Sequence, residues 1–142
     1  MMIDSLLVVL ARTALGFFLA AILGMVTYLV AQPIVLSIWD LGYVNFGALG
    51  ILSLGIGAPV GSFLAWLDMD STRREHILKL TAVIITALLF AWIGMRQGES
   101  IYKYVGVPGI PALRGIIFGA VLGANLPLVA LGLFKAFKHP RI

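Results

Sequence analysis

The segment between Arg114 and Lys135 carries no charged residue, and this absence most constrains what the chain can fold into. About 20 helical residues rise roughly 30 Å, which is the thickness of a bilayer core. Within the segment, Gly115, Gly119 and Gly123 recur every four residues and so share one face of a helix. A face without side chains allows another helix backbone to approach closely. The segment therefore predicts a membrane-spanning helix that packs through a glycine face.

The composition extends this prediction to the whole chain. Hydrophobic residues make up 61% of the sequence and charged residues 11%, whereas soluble domains have about 45–50% and about 25%. Too few polar residues remain to cover a water-soluble core. We therefore expect an all-α, polytopic integral membrane protein, with residues 1–142 forming a single membrane domain.

Three further apolar segments predict three more spanning helices, giving a compact bundle of four with glycine-rich packing faces. The predicted spans cover residues 6–30, 46–67, 77–95 and 115–134. Two of the added spans also repeat small residues at a spacing of four, and we expect these faces to pack as the fourth span does. They are Gly16, Ala20 and Gly24 in the first span and Gly57, Gly61 and Ala65 in the second.

Four polar or aromatic residues are candidates for contact with lipid or a partner. Arg12 lies about two turns inside the first span. A charge at the bilayer centre costs roughly 2.5–3.5 kcal/mol on insertion scales. Arg12 can snorkel, pair with a carboxylate, or bind lipid, an anion or a partner. Asn125 is expected to make a helix–helix hydrogen bond worth about 1 kcal/mol. Trp39 and Tyr102 carry the amphipathic rings typical of the membrane interface.

The most polar stretch, 68–76, has two interpretations. Asp68 and Asp70 followed by His76 are residue types that can hold a divalent cation or act at the membrane surface. Thr72 and Glu75 instead have the spacing of a capping box, in which each side chain accepts from the other's backbone N–H. We predict the capping box and no metal site.

The Lys and Arg residues are unequally distributed between the two sides of a four-span chain. Seven lie on the side of the termini and three on the other, so the excess predicts a cell-membrane protein with both termini in the cytoplasm. The first group is Arg12, Arg73, Arg74, Lys79, Lys135, Lys138 and Arg141, and the second is Arg96, Lys103 and Arg114.

Several chemistries are not expected. The chain has no cysteine, and no Asp, Glu or His lies within the predicted spans, so we expect neither a proton relay nor a cofactor. His76 and His139 are both placed at the membrane surface, and no catalytic constellation is visible. The net charge of +4 suits anionic lipid and gives no indication of nucleic-acid binding.

Two functions remain. The first is a non-catalytic accessory subunit that packs into a larger membrane complex, respiratory or photosynthetic assemblies being examples. The alternative is a small homo-oligomeric channel or transporter in which Arg12 attracts an anion. Two short matches also raise the hypothesis of a duplicated hairpin: the tripeptide at Phe46 recurs at Phe118, and the Gly-Met pair at Gly24 recurs at Gly94.

Overall fold

The fold consists of four long helices. The structure is a computed structural model and describes residues 2–38, 46–105 and 110–138. The helices are α1 (Met2–Ile38), α2 (Phe46–Ala65), α3 (Arg73–Val105) and α4 (Ile110–Lys138). Each is long and apolar enough to cross a membrane, which confirms the predicted all-α, multi-pass bundle.

Helices α1, α3 and α4 extend beyond the predicted spans, whereas α2 begins where its span was predicted to begin and ends slightly earlier, at Ala65. The third and fourth predicted spans imply a connecting loop over 96–113, which is wrong for most of its length, because α3 continues to Val105 and α4 begins at Ile110. Hydropathy marks only the part of a helix that lies in the bilayer core, and polar residues such as Arg and Gln are good helix formers outside it. Tyr102 therefore lies within α3, whereas Trp39 lies outside the described residues.

Helices α2 and α4 form the centre of the bundle. The most apolar window of α2 is 61% buried and that of α4 is 39% buried, against 17% in both α1 and α3. Each outer helix contacts both central ones, and the central pair contact each other. Both central helices run toward the end that holds Met2, the α2–α3 connection and Lys138, which we call the Met2 end. Helices α1 and α3 thus leave most of their apolar surface exposed.

The first hairpin, formed by α1 and α2, and the second, formed by α3 and α4, pack in the same way. In each, a glycine of the second helix lies so close to the first helix that a Cβ would meet a backbone carbonyl. The contacts of the first hairpin recur in the second. Equivalent residues of α1 and α3 differ by one constant residue number, and those of α2 and α4 differ by another. These pairs are Gly57 with Leu23 and Gly61 with Leu19, and then Gly119 with Phe90 and Gly123 with Thr86.

Burial repeats at the same offsets. Ala20 and Ala87 are fully buried, and Leu54 corresponds to Ile116 in the same way. The hairpins are therefore related by an approximate two-fold axis that runs along the bundle between α2 and α4. The two short sequence matches do not follow this register, since Gly24 occupies the position equivalent to Ala91 rather than to Gly94. Those matches are not structurally equivalent positions.

The start of α3 has the predicted cap. The Thr72 N–H donates to Glu75 Oε2 at 3.3 Å, and the Glu75 N–H donates to Thr72 Oγ1 at 3.4 Å. This reciprocal pair satisfies two donors that a helix start leaves without intrahelical partners. It confirms the capping box and fixes the position at which the chain enters α3.

Candidate functional site

A small cavity at the Met2 end brings together charged residues from all parts of the bundle. Its volume is about 60 Å³. Arg12 of α1, Lys79 of α3 and Lys135 of α4 line it together with Asp68, which follows α2. We call this cavity the cationic pocket. Three cations and one carboxylate give it a local charge of +2.

Among the three cations of the pocket, the sequence singled out Arg12 as a candidate contact residue but not Lys79 or Lys135. Lys79 and Lys135 are far from Arg12 in the chain. Taken alone, each is an ordinary basic residue near the end of a membrane-spanning segment. The signal that joins two of them is the register of the hairpins, because Lys79 holds the position in α3 that Arg12 holds in α1. That register is visible only once the helix contacts are known.

The floor of the cationic pocket is the indole of Trp66, which is 9% exposed. Its six-membered ring lies against Gly132 of α4, where any Cβ would collide with it. The guanidinium carbon of Arg12 lies 6.0 Å from the indole ring centroid. A cation over an aromatic face gains about 0.5–1 kcal/mol at exposed sites and more when it is desolvated. The ring therefore holds Arg12 over the cavity.

A buried polar pair lies beneath Trp66. Ser62 of α2 donates through Oγ to Asn125 Oδ1 of α4 at 2.8 Å, and Asn125 Nδ2 donates to the Val121 carbonyl at 2.8 Å. Both side chains are fully buried. The helix–helix hydrogen bond predicted for Asn125 is thus present, and its side chain is satisfied inside the bundle rather than exposed for a lipid contact.

Gly16 closes the bundle around these groups. A Cβ at Gly16 would lie 3.3 Å from Trp66 Nε1 and would collide with Asn125 Oδ1. Among the described residues, Trp66 Nε1 is the buried side-chain nitrogen or oxygen for which no protein partner is found. The absence of a side chain at position 16 lets α1 approach this polar layer.

The other small residues lie at helix contacts within the chain. Gly24 faces Leu54 of α2, and Gly57 and Gly61 face the backbone of α1. Ala20 is fully buried and Ala65 is 8% exposed. The glycine face of α4 lies against α3, with Gly115 meeting Gly94, and Thr86 Oγ1 donating to the Gly123 carbonyl at 2.8 Å. In the fourth span the partner backbone is therefore that of α3 in the same chain.

A second and larger cavity is a groove between α3 and α4 toward the opposite end of the bundle. We call it the α3–α4 groove, and its volume is about 630 Å³. Its lining is mostly apolar, with Gln97 and Arg114 as the polar members. The remaining residues are glycines and large apolar side chains: Gly94, Gly98, Gly115, Gly119, Phe90, Ile93, Phe118 and Leu122.

The polar stretch at the Met2 end does not form a metal centre in the described part of the chain. No group of three His, Asp or Glu side chains there is placed to hold an ion. The His76 ring instead packs edge-on against Phe63 with centroids 5.7 Å apart. Asp68 accepts the Asp70 N–H through Oδ1 at 3.2 Å.

Comparison with known proteins gives no match among family models, curated proteins or solved structures. A functional proposal therefore depends on the cationic pocket, the α3–α4 groove and the packing between them.

Proposed function

We propose that the protein is a non-catalytic membrane subunit that docks onto a larger membrane protein complex through the α3–α4 groove. The observation that carries the proposal is the groove itself. Its volume of about 630 Å³ is large for a bundle in which glycines let the helices pack backbone to backbone. Large apolar side chains form its walls, so a partner of matching chemistry is another apolar helix.

The groove has two features that suit a transmembrane helix as its occupant. Gly98 lines it together with Gly94 and Gly115, which contact each other, so few side chains along the groove would hold a partner helix away. Arg114 also lines it and is exposed. A carboxylate or polar group on the partner helix would neutralise that charge at the end of the groove.

Phe118 provides the test, because it is 76% exposed and forms part of the groove wall. We expect the unmodified chain to migrate with a larger complex in native electrophoresis of membranes dissolved in mild detergent. The Phe118→Ala variant should be released from that complex. Phe137→Ala is the matched control, since Phe137 lies on the same helix, is 67% exposed and does not line the groove.

Two outcomes would contradict the proposal. One is a chain that migrates alone or only with copies of itself. The other is a Phe118→Ala variant that stays in the complex as firmly as the Phe137→Ala variant does.

A second candidate, a small homo-oligomeric anion channel or carrier, is favoured by the position of the cationic pocket on the bundle axis. Against it, Trp66 and the bonded pair of Ser62 and Asn125 fill the axis below the pocket. Purified protein in liposomes should then carry a chloride or phosphate flux that Arg12→Ala reduces. Absence of flux for both anions would exclude this candidate.

A further inference from the structure

We propose that the cationic pocket is a binding site for a phosphate group, supplied either by the headgroup of an anionic lipid or by a soluble phosphate. The site is separate from the α3–α4 groove, and the proposal does not depend on docking there. It assigns a shared ligand to residues that have no common purpose in the packing of the helices.

The charges and the volume fit this ligand. Arg12, Lys79 and Lys135 converge on one cavity with Asp68 as the counter-charge, so an anion gains from the local excess of +2. A single water needs about 10–15 Å³ of such space, so the cavity of about 60 Å³ holds roughly four times that volume. A tetrahedral oxyanion fits, whereas an acyl chain does not.

The approximate two-fold axis gives the site its geometry. Arg12 and Lys79 occupy equivalent positions in the two hairpins, and Trp66 and Leu128 are likewise equivalent. All four line the cationic pocket. An anion on the axis is thus approached by a cation from each hairpin, and a phosphate offers oxygens to both sides.

Two of the cations already contact protein groups beside the pocket. The Trp66 ring supports the Arg12 guanidinium at 6.0 Å, and Lys79 Nζ donates to Ser71 Oγ at 3.5 Å. Pre-positioned side chains lose less conformational freedom on binding, which raises affinity. Arg also offers several N–H donors in the planar arrangement that matches phosphate oxygens.

The depth of the pocket is compatible with both sources of phosphate. Arg12 lies about 15 Å along α1 from Met2, at about 1.5 Å per residue, and Lys135 lies in the last turn of α4. The predicted spans begin at residue 6 and end at residue 134, so Arg12 lies inside the predicted core and Lys135 lies at its edge. A lipid phosphate can enter from the side, and a soluble phosphate can enter from the water at the Met2 end.

The experiment uses the full chain in two parallel arms. In one, nanodiscs containing equal phosphatidylglycerol and phosphatidylcholine are used, and native mass spectrometry measures which lipid stays bound. In the other, inorganic phosphate is titrated into the lipid-stripped protein in a neutral detergent. Retained phosphatidylglycerol identifies a headgroup site, and saturable binding of inorganic phosphate identifies a soluble ligand.

The variants compare cations inside and outside the pocket. Lys135→Gln and Arg12→Gln should each weaken the binding about tenfold, as expected for loss of one charge-assisted contact. Lys138→Gln is the matched control, because Lys138 is on the same helix as Lys135, is exposed and does not line the pocket. Its binding should stay within about twofold of the unmodified chain, as expected for a surface charge.

The proposal is overturned if neither arm shows binding above that to phosphatidylcholine or buffer. It is also overturned if Lys138→Gln weakens binding as much as Lys135→Gln does, because the attraction would then come from the general surface charge. Retention of binding by both Arg12→Gln and Lys135→Gln would likewise exclude this site.

Discussion

At the scale of single residues, Asp68 sets the charge balance of the cationic pocket. Replacing it with Asn removes the counter-charge while keeping an oxygen that can accept the Asp70 N–H. Loss of a like charge near a bound anion is worth about 1 kcal/mol at a partly exposed site, which corresponds to roughly fivefold tighter binding. Phosphate titration of the Asp68→Asn variant measures this. Unchanged or weaker binding would mean that Asp68 does not face the ligand.

Ser62 is the residue on which the bond between the central helices can be tested. Ser62→Ala removes the donor to Asn125 Oδ1 and should cost about 1 kcal/mol of unfolding free energy, as for buried hydrogen bonds between membrane helices. Unfolding in mixed micelles with increasing SDS measures the change. Ser37→Ala is the control, since exposed Ser37 donates to the Ile34 carbonyl of its own helix, and its effect should be below about 0.5 kcal/mol. Equal effects would show that the buried bond adds nothing.

At the scale of helices, the contact between α3 and α4 depends on backbone proximity. A Cβ at Gly119 would collide with the Phe90 carbonyl, so Gly119→Ala forces two backbones apart and should cost roughly 1–3 kcal/mol. Gly50→Ala is the control, because its Cβ would meet side chains alone, with the terminal Cδ1 of Ile116 nearest at 3.2 Å. That side chain can move, and the gain in helix propensity of about 1 kcal/mol offsets the cost. The same SDS titration separates the two, and similar stabilities would contradict the backbone contact.

The sequence predicts the helices better than it predicts their ends or their contacts. Long apolar runs are enough to place four spans, because a helix satisfies its backbone hydrogen bonds within one continuous apolar segment of the chain. The small-residue spacing indicates which face of α4 is available, but it does not identify α3 as the partner of Gly119. The helix that packs against a given face of α4 depends on how α1, α2 and α3 all fit against α4 at the same time. The cationic pocket is harder still, since Arg12 and Lys135 come from opposite ends of the chain.

At the scale of the whole molecule, the approximate symmetry and the pocket are connected. The repeated contacts give the two hairpins similar packing at the centre of the bundle. Ala58 and Ala120, for example, are fully buried at equivalent positions. The hairpins differ at the Met2 end, where Trp66 stands opposite Leu128. The larger ring enters the axis and supports Arg12, so the site arises where the second helices of the two hairpins differ.

The orientation of the molecule in the membrane is predicted from its charges and can be measured directly. Among the described residues, six Lys and Arg residues belong to the Met2 end and three to the opposite end, which favours the Met2 end in the cytoplasm. The chain has no cysteine, so a single introduced thiol reports one position without background. Met69 is 90% exposed in the α2–α3 connection, and Ser37 is exposed in the last turns of α1.

In intact cells, a membrane-impermeant maleimide should therefore label the Ser37→Cys variant and leave the Met69→Cys variant unlabelled. Permeabilising the cells should then expose Met69→Cys to the same reagent. Both positions are exposed, so a difference in labelling reports the side of the membrane rather than burial in the protein. Labelling of Met69→Cys alone in intact cells would reverse the orientation. The reversed orientation would place the cationic pocket on the outer surface. Equal labelling of both variants in intact cells would contradict a fixed orientation.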